Sequence, residues 1–424
     1  MLLLLAAALP AEAGVRIDHW TTQSGARAYF VETHALPIVD VSVEFAAGSA
    51  YDPPARAGLG QLTLTLLKGG SARYSEAEVD RRIADAGAQL RDHFDLDRAG
   101  FALRTLSTEA ERRSAVETLA DLLQSPRFAS EIFDREKARA ISNLAEAETQ
   151  PDHIAEKHLY ALMYPSHPYG SSATPATVAT ITRDDVERHY RARFGSSGAT
   201  VAIVGDLSLD AARDLAEQLS SRLAPGGDAA LPPAAPPKAG ETVRVAHPAT
   251  QSHLLLGVPA LARDDPDYFP LLMGNYILGG GGFVSRLMTE VRSKHGLAYS
   301  VYSYFQPYAQ LGPFQVGLQT RRDQADEALK RVQDVIAEFV AFGPKETELK
   351  AAKKSLVGGF PLRIDTNRKL LEQLAVIGFY RLPRGWLEEY PARLEAVTLD
   401  QVRGAFARRI DPKKLAIAIV GASE

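Results

Sequence analysis

The hydrophobic positions of this chain switch repeatedly between a period of two and a period near 3.6. Val39, Val41, Val43 and Phe45 alternate with Asp40, Ser42 and Glu44, the pattern of an antiparallel strand with one buried face. Strands are predicted over 27–32, 39–47 and 101–106, punctuated by Gly25 and Pro37. Helical spacing predicts helices over 75–86, 109–123, 130–149 and 154–163, the first opening with Ser75 and Glu78 at capping-box separation. One stretch is in conflict: Leu62-Thr63-Leu64-Thr65-Leu66 alternates and is a strand by pattern alone.

The later part restarts the same way. Strands are predicted over 242–246, 253–258 and 314–319, and helices over 268–278, 324–342, 345–360 and 368–380. Between them, Gly279 to Gly282 lead into a segment over 283–292 with Phe283, Leu287 and Val291 at i, i+4 and i+8, one helical face. Lys294-His295-Gly296 stops it, and residues 297–304 alternate as a strand. Arg292 thus falls near a helix C-terminus and Tyr299 near a strand start, where a guanidinium and a phenol can converge on one carbonyl or carboxylate. Taken alone, the glycine run reads as a flexible loop; it is no phosphate loop, because no Gly-Lys-Ser/Thr follows.

An internal repeat organises the whole. Ile181-Thr182-Arg183-Asp184-Asp185-Val186 returns as Val397-Thr398-Leu399-Asp400-Gln401-Val402, and Ala202-Ile203-Val204-Gly205 returns as Ala418-Ile419-Val420-Gly421. Both recur at one offset, 398 − 182 = 216 and 420 − 204 = 216. Two helix-then-strand units at one separation imply a duplicated domain. The proline- and alanine-rich stretch 224–241 cannot build a core and reads as a semi-rigid linker between domains over 14–223 and 242–424. The fold class expected is α+β: two homologous domains, each a mostly antiparallel sheet with helices on one face.

Composition narrows the function. The chain has 424 residues, 46% hydrophobic and 24% charged, enough for two or three cores. A net charge of −4 without a basic tract argues against nucleic acid as a partner. The absence of cysteine removes disulfides, thiol nucleophiles and thiolate metal sites. Met1 to Leu9 is apolar and Ala11-Glu12-Ala13 is a small-x-small cleavage site, so 1–13 reads as a signal peptide and the expected location is the periplasm. No later stretch is long and apolar enough for a transmembrane helix.

The string Leu-Met-Thr-Glu-Val-Arg292 followed by Gly-Leu-Ala-Tyr299-Ser-Val resembles the C-terminal half of the pitrilysin–insulinase peptidases, which include mitochondrial processing peptidases and respiratory-complex core proteins. The resemblance implies a processing-peptidase-like metallohydrolase fold. It also implies that Arg292 and Tyr299, seven apart, contact substrate beside a zinc ion, with Gly280, Gly281, Gly282 and Phe283 as substrate-binding neighbours. The family's zinc sits on an inverted H-x-x-E-H helix, two imidazoles and a later carboxylate holding the metal while the motif glutamate takes a proton from bound water. After the familiar lead-in Ala47-Gly48-Ser49-Ala50-Tyr51-Asp52, the histidines are replaced by Gln61 and Thr65 and the glutamate by Leu64. The third-ligand positions hold Ser142 and Asn143. None of these is a zinc ligand or a general base at pH 7. The resemblance also makes 59–67 a helix, against the local pattern.

No other catalytic constellation stands out. His93 beside Asp92, Asp95 and Asp97 is the nearest to a cluster, read either as a solvated loop or as a metal site. Asp134, Glu136, Glu146 and Glu148 read as a solvated helix face. The combination implies a chain that binds no metal itself and works with a homologous zinc-binding subunit on peptide or unfolded-protein substrates. In that heterodimer Tyr299 would hydrogen-bond the scissile carbonyl and Arg292 would fix the peptide. Two alternatives remain: a purely structural scaffold, and a stand-alone enzyme with an unrecognised site.

Overall fold

The computed structural model describes residues 15–421, so the expected leader over 1–13 lies outside the described residues. Two sheets form the framework. The first contains β1 (Asp18–Thr21), β2 (Arg27–Glu32), β3 (Ile38–Phe45), β4 (Gln89–Phe94), β5 (Ala99–Leu106) and β6 (Thr200–Gly205), in the order β1-β2-β6-β3-β5-β4. The second contains β7 (Thr242–Val245), β8 (Gln251–Leu261), β9 (Ala298–Phe305), β10 (Gly312–Arg321) and β11 (Ala416–Val420), in the order β7-β11-β8-β10-β9. Each sheet has one parallel pair, β2 with β6 and β7 with β11, and is otherwise antiparallel. Apart from β1, the two orders correspond strand for strand. The repeat read from the sequence is a repeat of topology. Thr182 and Thr398 cap their helices alike, accepting from the N–H groups of Asp185 and Gln401 at 3.2 Å.

The halves exchange a helix. Helices Pro151–Met163 and Asn367–Phe379 lie 216 residues apart at both ends (367 − 151 and 379 − 163), and each packs on the sheet of the opposite half. Helix Asn367–Phe379 lies against β2, β3 and β6, so Tyr29, Val31, Ala202 and Val204 join the core of the second half. Helix Pro151–Met163 lies against β8 and β11, placing Leu159 and Met163 beside Ala416 and Ala418. The single buried face expected for β3 is therefore corrected. Val39, Val41, Val43 and Phe45 do face their own half's helices, but Asp40, Ser42 and Glu44 are buried as well, beneath the borrowed helix.

The stretch with conflicting signals is helix Leu59–Leu67. Asp52 starts it by accepting from the N–H groups of Gly58 and Gly60, both at 2.8 Å. Leu59, Leu62, Leu64, Leu66 and Leu67 are all buried, so the helix is apolar almost all round and its 3.6 period is erased. The threonines fit a helix because their hydroxyls bond back one turn: Thr63 to the Leu59 carbonyl at 2.8 Å, Thr65 to that of Gln61 at 3.0 Å.

The stretch 224–240 has neither helix nor strand, as its composition predicts, but it is not a loose tether. Leu231 and Ala234 are buried with Tyr164, Tyr169 and Tyr308, and the Ala229 carbonyl accepts from the Tyr51 hydroxyl at 3.2 Å. The acidic hairpin between β4 and β5 is likewise no solvated loop. Asp95 pairs with Arg98 at 2.8 Å and with His93 at 3.0 Å, and Asp97 is wholly buried where the two halves meet.

Candidate functional site

Helix Tyr268–Asn275 runs into a π-helical turn, Tyr276–Gly280, that carries the start of the glycine run. Asn275 clamps this turn to β9: its amide donates to the Ser303 carbonyl at 3.1 Å and its oxygen accepts from the Ser303 hydroxyl at 2.7 Å. A Cβ on Gly279 would lie 2.4 Å from the Ser303 Oγ, so only glycine fits there. Gly282 has φ +62°, the left-handed region, and turns the chain outward. The glycine run is thus a packed turn, not a floppy loop.

The single amphipathic helix expected over 283–292 is corrected. Gly282–Val284 forms a 3-10 turn, Ser285 breaks the helix, and the following segment widens into π-helical turns over Met288–Lys294. The break leaves Phe283 71% exposed, while Leu287 and Val291 enter the core. A π-turn accommodates an extra residue per turn, and such insertions recur at functional sites. Opposite it, β9 carries a bulge: Val301 pairs with Leu318 and Ala298 with Thr320, so Tyr299 and Ser300 together face Gln319. Tyr299 is 82% exposed.

These two irregularities bring the sequence-predicted residues together. The Arg292 guanidinium lies between two rings, 4.5 Å from the centroid of Tyr299 and 4.8 Å from that of Phe283. Its Nη1 donates to the Tyr299 backbone carbonyl at 2.8 Å. Gly280 and Gly282 flank this group on the surface, and Gly281 is half-buried.

Tyr299 also borders a cavity of about 680 Å³ between β8, β9, β10 and helix Pro151–Met163. Tyr302, Tyr304, His253, Gln315, Asp152 and Glu156 line it, residues that the sequence reading did not single out. The Tyr302 and Tyr304 rings stack at 6.1 Å, and burial pushes both phenols above their ordinary pKa. Burial also lowers the His253 pKa. The Gln315 Oε1 is buried without a partner. Neutral phenols, an imidazole and an amide, beside the Asp152 and Glu156 carboxylates, give the half-open cavity donors and acceptors for peptide groups, and the adjacent guanidinium adds a positive charge. The strand alternation of Tyr302 and Tyr304 was a visible signal; Asp152 and Glu156 gave none, since they arrive from the other half.

The zinc positions do not fit a metal. Gln61 is exposed, Leu64 is fully buried among apolar groups, and the Thr65 hydroxyl bonds within its own helix. Ser142 and Asn143 lie exposed on helix Ser130–Ala147. The carboxylate of that helix lining the cavity at Thr65 is Glu136, whose assignment to a solvated face is corrected: it is buried, and it accepts from Arg135 at 2.8 Å and Arg139 at 3.2 Å. Guanidinium groups already satisfy its charge. Asp134 and Glu146 are exposed as expected, and Glu148 pairs with Lys157 at 2.7 Å. Among the described residues no three His, Cys, Asp or Glu side chains are placed to hold a metal ion, the His93 group included.

Residues 28–176 match the insulinase family, peptidase family M16, and residues 180–356 match the peptidase M16 inactive domain. A crystal structure described as a peptidase M16 inactive domain from Pseudomonas fluorescens shares 34% identity, with a TM-score of 0.92 over 97% of this chain and 98% of that one. A protease from Helicobacter pylori has the same fold at 16% identity, with a TM-score of 0.88 over 96% and 99% of the two chains. An uncharacterized zinc protease of Streptomyces coelicolor is 27% identical over 88% of this chain and 83% of its own length. A non-peptidase homolog of Helicobacter pylori is 24% identical over 99% and 97%. With both halves matched in order and a solved relative sharing a third of its residues over nearly its full length, this chain belongs to peptidase family M16, the insulinase family.

Proposed function

We propose that this chain is the metal-free half of a two-chain zinc peptidase, lending Arg292 and Tyr299 to a site whose zinc is held by a homologous partner. One observation carries the reading: the exposed rings of Tyr299 and Phe283 clasp the half-buried Arg292 guanidinium in a pre-shaped group beside a peptide-sized cavity, while the zinc positions of the same chain hold no ligand. Exposed aromatic rings flanking a guanidinium have the character of an interface hot spot. In the complex the Tyr299 hydroxyl would donate to the carbonyl oxygen under attack and Arg292 would anchor the peptide. Peptides or unfolded chains would be the substrates. The apolar segment before Ala13 supports export to a periplasm; no helix among the described residues is long and apolar enough to cross a membrane.

The test is reconstitution with a homologous subunit carrying H-x-x-E-H. Tyr299→Phe and Arg292→Ala should each lower kcat/KM by about tenfold or more while the complex still forms. Unchanged turnover in both variants would refute the catalytic role. A scaffold role is the second reading. It is favoured by the way Arg292 is satisfied within its own chain, by the Tyr299 carbonyl and two rings. It also accords with the description of the Helicobacter pylori relative as a non-peptidase homolog. It requires complex formation with no dependence of activity on either residue.

A further inference from the structure

The duplication gives the chain two cavities built on one plan. Each lies on three corresponding strands, β3-β5-β4 or β8-β10-β9, beneath the helix lent by the opposite half. The second borders Tyr299. The first, about 550 Å³, has no part in the proposed peptidase role.

Its lining is polar, and only some of its charges, those of Asp40, Asp92, Arg98 and Arg104, are paired off. Asp40 is satisfied by a two-pronged bond from Arg104, at 2.8 and 2.9 Å. Glu44, on the same strand face, is not. It is 4% exposed, its Oε1 accepts from the Ser42 hydroxyl at 2.9 Å, and its Oε2 is buried with no hydrogen-bond partner. Four lining arginines lack an ion-pair partner among the described residues. Arg91 and Arg368 reach only the Gln89 side-chain oxygen, and Arg363 only the Tyr390 hydroxyl, all at 3.4 Å. The Arg263 guanidinium stacks 5.0 Å above the Tyr380 ring, and its Nε is buried without a partner. Arg98 and His93, which line the same cavity, lend Glu44 positive charge but donate no hydrogen bond to it; a buried carboxylate oxygen without a donor is costly, and native proteins rarely leave one so. A simple anion would suit the arginines but be repelled by Glu44, and a simple cation would meet the reverse.

We propose that this cavity binds a small zwitterion, a free amino acid or a short peptide. Its ammonium group pairs with Glu44, and its carboxylate with the arginines of the opposite half, Arg363 and Arg368. The volume lies within the range of small-ligand sites, and Asp40 to Glu44 spans roughly 13 Å of strand, room for two or three residues. Because floor and roof belong to different halves, the ligand would tie them together.

The test uses the purified full chain without any partner, so it stands apart from the peptidase reading. Calorimetric titration and thermal melting are run with alanyl-alanine, its N-acetyl form, its C-terminal amide and inorganic phosphate. The free dipeptide should bind and raise the melting temperature, and each blocked form should bind about tenfold or more weakly, the effect of losing one charge-assisted bond. Glu44→Gln should lower dipeptide affinity about tenfold but change that of the N-acetyl form less. Arg368→Gln together with Arg363→Gln should do the converse with the amide. Binding of the blocked forms as tight as that of the dipeptide, phosphate binding unchanged by the arginine substitutions, or no dipeptide binding at millimolar concentration would overturn the proposal. The blocked-ligand comparison needs no variant and holds even if Glu44→Gln fails to fold.

Discussion

Removing the Asp97 carboxylate should loosen the two halves of the molecule from each other. Asp97 is 0% exposed and both its oxygens are used. Oδ1 accepts from the Tyr169 hydroxyl at 2.5 Å, and Oδ2 accepts from the Tyr380 hydroxyl at 2.9 Å and the Ala309 N–H at 2.7 Å. Tyr380 and Ala309 belong to the second half. Asp97→Ala deletes three bonds to a carboxylate, each worth about 1.5–3 kcal/mol, and strands three buried donors. Part of that is recovered, because burial already disfavours the charge and raises the Asp97 pKa. The net cost is about 3–5 kcal/mol. Asp97→Asn can keep its carbonyl toward Ala309 and Tyr380 and turn its amide to Tyr169. The Tyr169 oxygen also accepts from the Gln310 N–H at 3.1 Å, so only the Tyr169 hydrogen loses its acceptor, a cost of about 1 kcal/mol.

The two tryptophans make the assay selective, since Trp20 lies in the first half and Trp386 in the second. Urea unfolding of single-tryptophan variants should give coincident transitions in the parent and separated ones in Asp97→Ala. A loss below about 1 kcal/mol for Asp97→Ala, or equal losses for alanine and asparagine, would refute the reasoning. The sign of the pH effect follows from the raised pKa. The contribution of a carboxylate raised in the folded state is full below its unfolded pKa and is lost as pH rises through the folded one. The Asn variant should therefore lie nearest the parent at neutral pH and fall behind on acidification.

Three further outcomes are expected. His189 is buried beside Phe194 with its Nε2 unpartnered, and burial lowers its pKa to about 4, so the parent should lose about 3 kcal/mol of stability as pH falls from 6.5 to 4. In His189→Leu that loss should vanish from acid melting curves. Gly279→Ala should cost about 1–3 kcal/mol in denaturant unfolding, because its Cβ must displace Ser303, whose backbone nitrogen would also lie 2.7 Å away. Tyr299→Phe should shift stability by no more than about 0.5 kcal/mol, since its side chain is exposed, and Arg292→Ala by about 1 kcal/mol, since the half-buried guanidinium loses its bond to the Tyr299 carbonyl. A large loss would assign them to the fold instead of to binding.

The sequence by itself determined the duplication, the two-sheet α+β class, the grouping of Arg292 with Tyr299, and the loss of zinc-binding side chains. These depend on residue identity and on spacing along the chain: a threonine cap repeats at a fixed offset, and leucine cannot ligate a metal wherever it lies. Local pattern failed where tertiary burial overrode it. Leu62–Leu66 reads as a strand because a helix buried on nearly every side keeps too narrow a polar face to set its period. Glu136 reads as solvated because its own helix supplies its partners Arg135 and Arg139 but not the cover that buries it. Only the tertiary structure decided that the halves trade helices. That exchange buries the second face of each sheet, brings Asp152 and Glu156 to the cavity that Tyr299 borders, and brings Arg363 and Arg368 to the cavity that Glu44 lines. The physical reason is that a contact between residues two hundred positions apart is fixed by which surfaces fit, and neither partner's neighbours in the chain record that fit.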